Sequence, residues 1–148
     1  MDFIDKIISG FGTMVGLSDL ALDDGNCCTL QFDQVIVNVE YLPDTRVFYF
    51  YTRIGAIPAN KEVRLQIFEY LLESNCFYRK AHGGVLGIDG EQDAVIYTHK
   101  FNADDLDAKI FGDYMEAFVN TAETFAGDLL DESGDKSNAM PPMGGLRV

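Results

Sequence analysis

Few side chains in this sequence are spaced as chemistry requires. Asp89, Glu91 and Asp93 open with the alternating carboxylates of a calcium loop. Such a loop needs glycine at its sixth position and glutamate at its twelfth, and the chain has Ala94 and Lys100 there. A solvated hairpin turn accounts for the three carboxylates. Asp23-Asp24 reads as a turn, and Asp104, Asp105 and Asp107 as the start of a helix, where the dipole favours negative charge. The two histidines, His82 and His99, have no partners at ligand spacing, so no zinc motif forms. Cys27 and Cys28 are neighbours and would point to opposite faces of a strand, which speaks against a shared metal. Cys76 with His99 is the one conceivable nucleophile–base pair, because such pairs meet only in space, but nothing around either residue supports it. Gly83-Gly84-x-x-Gly87 lacks the lysine and hydroxyl residue of a phosphate loop and precedes a strand, not a helix. No G-x-S-x-G element is present. The expectation is therefore no catalytic residue, no metal site and no cofactor.

Composition narrows the partner classes. The chain has 148 residues, with 24 acidic side chains against 11 basic ones and a formal net charge of −13. That balance argues against nucleic acid, which is bound through basic patches, and against anionic membrane surfaces. Hydrophobic residues make up 47%, too many for a disordered acidic protein. No apolar run approaches the ~20 residues of a membrane-spanning helix, so no membrane insertion is expected. The first residues, MDFIDKIISGFG, carry Asp2 and Asp5 where a signal peptide has its positive region. Three cysteines without a secretory signal suggest reduced thiols.

The elements that must carry any site follow from periodicity. Residues 2–16 place Phe3, Ile4, Ile7, Ile8, Phe11, Met14 and Val15 on one helical face, weakened by Gly10, Gly12 and Gly16. Residues 28–32, 35–42 and 46–53 alternate as three strands, joined by links too short for parallel crossovers. Residues 46–53 are apolar on both faces. Asn60 can cap a second helix to about residue 74, whose apolar positions exceed one stripe and call for packing on two sides, one of them a second copy of the chain. Residues 85–88 and 94–101 form a hairpin, and a last helix spans about 103–132. The fold class is α+β: an α-β-β-β-α-β-β-α sandwich in which helices pack on a twisted antiparallel sheet. One domain is expected over residues 1–132, with a disordered tail at 133–148, rich in Gly, Pro and small residues.

This order of elements resembles the class I chaperones of bacterial type III secretion (the CesT/SycE-like group). The segments that carry the likeness are LQFDQVIVNVEYLPDTRVFYFYTRIGAIP (30–58), LLESNCFYRKAHGGVLGIDGEQDAVIY (71–97) and FVNTAETFAGDL (118–129). The middle segment follows the family's L-L-x-x-N-x-F and G-G-x-L-G-x-D pattern. The likeness covers about residues 2–131. Two departures are mild: Phe125 stands where the family commonly has tryptophan, and the tail after Leu130 is longer than usual.

The resemblance implies a homodimeric, ATP-independent chaperone in the cytoplasm of a Gram-negative bacterium, without enzymatic activity or cofactor. It would bind the N-terminal region of a secreted effector in extended form and keep it competent for export, with the secretion apparatus as a further partner. By that likeness the effector-binding candidates are Ile4, Ile8, Phe11, Leu30, Phe32, Val37 and Phe48. The dimer candidates are Ile67, Leu71, Leu72 and Phe77. Two other readings stay open. One is a small α+β ligand-binding domain or enzyme with a closed pocket around His99, Cys76 and Tyr97. The other is an adaptor of the same fold that binds a partner without any export role.

Overall fold

The computed structural model describes residues 2–133. The tail expected at 133–148 therefore lies almost wholly outside the described residues. Helix α1 (Phe3–Met14) begins at Asp2, whose carboxylate accepts the Asp5 N–H at 2.8 Å. Ile4, Ile7, Ile8 and Phe11 are buried along one face. The glycines that weaken this helix answer to space. A Cβ on Gly10 would stand 2.8 Å from Ala108 Cβ, and one on Gly12 would stand 2.5 Å from the Leu17 carbonyl.

Five strands follow the predicted sequence: β1 (Cys27–Phe32), β2 (Val35–Leu42), β3 (Val47–Ala56), β4 (Val85–Asp89) and β5 (Ala94–Asn102). Every pairing is antiparallel, and the spatial order is β1-β2-β3-β5-β4. The last two strands are thus inserted beside β3 in reverse order, which leaves β1 and β4 as edges. Strand β3 runs past Arg53, where the alternation ends in sequence, because a bulge between Arg53 and Gly55 resets its register with β5.

Helix α2 (Lys61–Asn75) starts as expected at Asn60, whose side-chain oxygen accepts the N–H groups of Glu62 and Val63. It buries only Ile67, Leu71 and Ser74, while Leu65 and Leu72 are exposed. A short 3-10 turn, Cys76–Tyr78, follows.

The last helix starts later than its sequence suggests. Ala103–Asp105 forms a separate 3-10 turn and Leu106 is extended, so α3 spans Ala108–Ser133. Asp107 caps it by accepting the Ile110 N–H at 2.8 Å. Asp104 faces Arg46 at 2.6 Å instead of sitting in the helix, and that hydrogen bond holds its carboxyl below the usual carboxylate range. Tying residue 104 to the β2–β3 turn is what breaks the expected helix in two.

Phe111 is the hub of the core. Its ring meets Phe11 of α1 at 5.1 Å and Phe48 and Phe50 of β3 at 5.4 and 5.1 Å, edge-on in each case. Helices α1 and α3 therefore cover the sheet face that carries Val37, Val39, Phe48 and Phe50. On the opposite face Thr29, Gln31, Tyr49, Tyr51 and Lys100 are exposed or half-buried, while Ile36 and Asn38 are buried.

Candidate functional site: edges, an apolar strip and a cleft

Three surfaces could take a partner. The first lies at the β1 edge. The chain leaving α1 turns at Gly16 (φ 81°) and runs back beside β1, leaving an open groove of about 610 Å³. Leu17, Leu20, Leu30, Thr29 and Gln31 contribute to its walls, and Leu17 is 45% exposed. Ser18 and Asp19 add polar groups to the three leucines. An edge strand beside such a groove can accept an extended peptide, through main-chain hydrogen bonds and alternate side chains. Cys28, on the helix-facing side of β1, has its thiol pushed up to about 12 by burial first, then by Cys27 and Asp23. It stays protonated and inert.

The second surface is a strip of exposed apolar side chains. Leu65 and Leu72, seven residues apart, share one face of α2, and Phe77 and Tyr78 extend it through the following turn. Leu72 is 73% exposed and Phe77 81%. Phe77 and Tyr78 both have φ near 57°, a left-handed conformation that aromatic residues adopt at a cost. Asn75 ties this strip to β4. Its side-chain amide donates to the Leu86 carbonyl and accepts the Leu86 N–H, each at 2.8 Å. On β4, Ile88 is exposed on the sheet face that carries Leu86 and Tyr97, and Val85 is exposed on the other face.

The third surface is a cleft between β5, the 80–84 loop and α3. Its wider part, about 440 Å³, is walled by Tyr97, His99, Phe101, Tyr114, Phe118 and the Gly83 backbone. The rings are ordered in stacks: His99 on Phe101 at 4.2 Å, Phe101 on Tyr114 at 4.6 Å, and Tyr97 on Phe118 at 4.6 Å. The Gly-Gly pair sets this wall. His82 (φ 50°) and Gly83 (φ 92°) turn the loop so that the His82 carbonyl comes 3.0 Å from His99 Nε2. A Cβ on Gly84 would stand 2.6 Å from the Thr98 carbonyl and 2.7 Å from the Tyr97 ring. Tyr97 donates its hydroxyl to the Ala81 carbonyl at 2.7 Å, and burial pushes the phenol up to about 12 against the lowering effect of Thr121.

These placements revise the sequence candidates. Ile4, Ile8, Phe11, Leu30, Val37 and Phe48 are all buried in the core, and Phe32 is half-buried against it. Among these seven candidates, only Leu30 lines the β1 groove. Alternation reveals which residues share a sheet face, and here the more apolar face belongs to the helices. Ile67 and Leu71 are likewise core residues, 1% and 4% exposed, while Leu72 and Phe77 lie on the surface. Leu65, Tyr78, Val85 and Ile88 are also exposed and were not among the candidates from sequence, although the seven-residue spacing of Leu65 and Leu72 was a usable signal. The closed pocket around His99, Cys76 and Tyr97 does not form. His99 and Tyr97 line the open cleft, and Cys76 is exposed outside it. Among the described residues no cluster of His, Cys, Asp and Glu could hold a metal ion, and no helix is long and apolar enough to cross a membrane.

The model of the Tir chaperone protein (CesT) family matches residues 6–126. The chain belongs to the CesT family. The family is one of chaperones, not of enzymes. A search of curated proteins found no match. Among solved structures, the CesT-family fold seen here is similar to a chain of the ExsC–ExsE complex, with a TM-score of 0.74 and 22% identity over 85% of this chain and 92% of that one. It is also similar to a chain of the HopA1–SchA chaperone–effector complex, at 0.70 and 12% over 84% and 94%. A third is the Yersinia pestis type III secretion chaperone SycH in complex with a fragment of YscM2, at 0.64 and 14% over 84% and 99%. At these identities the likeness speaks for the fold.

Proposed function

We propose that this CesT-family chain is a chaperone that binds the N-terminal region of a type III secreted effector in extended form and keeps it export-competent. The observation that carries the reading is an edge strand, β1, flanked by an open groove lined in part by Leu17, Leu20 and Leu30 in a chain of that family. An effector strand added to β1 gains main-chain hydrogen bonds from the edge and seats alternate side chains in the groove. The ordering entropy of the effector segment offsets part of this and keeps binding reversible. Solved structures of this fold include chaperones held with effectors, among them the HopA1–SchA complex. The effector-binding residues are Leu17, Leu20, Thr29, Leu30 and Gln31 in place of the core positions expected from sequence.

The active form in this reading is a cytoplasmic homodimer. Leu65, Leu72, Phe77, Tyr78 and Ile88 are exposed apolar side chains that water disfavours and that a second copy, related by a two-fold axis, would cover with the same residues. The net charge of −13 keeps a chain with such surfaces soluble.

The test is co-expression with secreted proteins encoded near this chain. The N-terminal region of one of them copurifies with wild type and is lost with Thr29→Pro, which removes a main-chain donor from β1. Deleting the chaperone lowers export of that protein. Copurification through the effector's folded C-terminal part, or export unchanged by the deletion, overturns the proposal.

A further inference from the structure

Both histidines of the chain line the cleft between β5 and α3, and the cleft continues past His82 and Thr121 into a smaller polar hollow of about 160 Å³. The hollow adds Lys80, Asn120 and Thr124. The combined site thus has two unlike ends that share one wall. One end is aromatic: half-buried His99 and Phe101 and exposed Tyr114 stack in a row along it, above the buried rings of Tyr97 and Phe118. The other offers an ammonium, a side-chain amide and a hydroxyl.

Charge distribution marks this place off from the rest of the molecule. Acidic residues number 24 in 148, yet none of the thirteen residues lining the two hollows is acidic. Lys80 is held with its ammonium 5.4 Å from the Tyr70 ring, and Arg79 stands next to it in sequence. On a surface of net charge −13, an anionic group from a partner is repelled broadly and welcomed here. The site is an open cleft, so it covers one face of an occupant. That shape suits a side chain presented from a peptide lying across it better than a free small molecule, which binds where most of its surface is enclosed.

We propose that this cleft is a second peptide-docking site, which takes an aromatic side chain against the His99–Phe101–Tyr114 stack and a neighbouring carboxylate against Lys80. Residues two apart in an extended chain share one face and lie about 7 Å apart, so both can reach into hollows that share His82 and Thr121. The occupant is an aromatic–acidic segment of the effector, so the assignment of the peptide as client rests on the chaperone reading above. The site does not involve the β1 groove: β2 and β3 lie between β1 and β5 in the sheet.

The experiment uses the full chain and a labelled Gly/Ser peptide that carries one phenylalanine and one glutamate two positions apart. Binding is followed by fluorescence anisotropy and located by amide and side-chain NMR shifts. Shifts should centre on Tyr97, His99, Tyr114 and Thr121. Replacing the peptide's phenylalanine with alanine should weaken binding about 30-fold, the loss typical of a buried anchor. Ala117→Trp, which fills the aromatic end from an exposed position, should abolish it. Lys80→Glu should weaken the glutamate peptide about threefold and favour the peptide with lysine in its place. Both variants should keep wild-type circular dichroism. Absence of shifts in the cleft overturns the proposal. So does binding of phenylacetate at the same site with affinity equal to the peptide's, which would mark a small-molecule pocket. The chaperone reading is read out separately: Ala117→Trp still captures effector through β1 if only the cleft assignment is wrong. Wild type that binds the peptide in the cleft but captures no secreted protein overturns the chaperone reading, and with it the peptide's assignment as client.

Discussion

Gly84→Ala tests how tightly the loop that walls the cleft is pressed onto β5. The added Cβ would meet the Thr98 carbonyl at 2.6 Å and the Tyr97 ring at 2.7 Å, where ordinary contact begins near 3.4 Å. Neither neighbour yields cheaply. Thr98 lies in the middle of β5, paired with Tyr51 on one side and Val85 on the other. Tyr97 is 1% exposed and stacked on Phe118. Overpacking of this kind costs about 1–3 kcal/mol. Moving the loop away instead breaks the Tyr97–Ala81 hydrogen bond, worth about 1 kcal/mol more. The narrower unfolded ensemble of alanine returns about 0.4–1 kcal/mol. The net expectation is a loss of about 2–3 kcal/mol, or about 6–12 °C in Tm for a domain of this size. Urea unfolding at one fixed protein concentration measures it, with Gly87→Ala as control, because a Cβ there meets nothing within 4 Å. A Gly84→Ala protein within about 0.5 kcal/mol of wild type, the ordinary range for surface changes, would refute the reasoning.

Four further outcomes are expected. Leu72→Asp should convert a dimer to a monomer in light scattering without loss of protomer fold, whereas Leu71→Asp, which puts a charge into the core, should unfold the chain. Phe77→Gly removes a left-handed aromatic residue but frees the unfolded chain, so protomer stability should stay within about 1 kcal/mol while dimer affinity falls. Iodoacetamide at pH 8 should label exposed Cys76 first and Cys28 last, as read by mass spectrometry, because the Cys28 thiol titrates only near 12. Tyr97 gives a pH dependence at the alkaline end. Its folded pKa of about 12 lies above the unfolded value near 10, so the unfolded state releases its proton first and stability falls as pH rises from about 10 to 12. Tyr97→Phe should flatten that part of the curve of Tm against pH.

Local signals were legible wherever one residue type acts alone. The Asn60 cap, the bounds of β2 and the hairpin around residues 89–93 follow from sequence because their determinants lie within a few positions. The start of α3 did not, because the Arg46–Asp104 pair joins residues far apart in sequence. The outward side of each element was the harder matter. Val37 and Phe48 stand on the same apolar face that a groove would need, and only the arrival of α1 and α3 decides that this face is core. On α2 the excess of apolar residues was visible, but the exposed pair is Leu65 and Leu72, more than a third of a turn away from Ile67 and Leu71. The cleft could not be read at all, since His82, Tyr97 and Thr121 meet only once the loop, β5 and α3 have assembled.

The Phe11–Phe111 contact has a consequence for how the chain is made. A ribosome delivers α1 first, and that helix carries glycines that leave it weak alone. The residues that bury it, beginning with Ala108 and Phe111, emerge after the whole sheet has been synthesised. Ile4, Ile7, Ile8 and Phe11 therefore wait in water for most of translation, and folding has to close a loop nearly as long as the domain before they are covered. A sheet that forms in the meantime shows Phe48 and Phe50 uncovered, an apolar face open to any extended chain nearby.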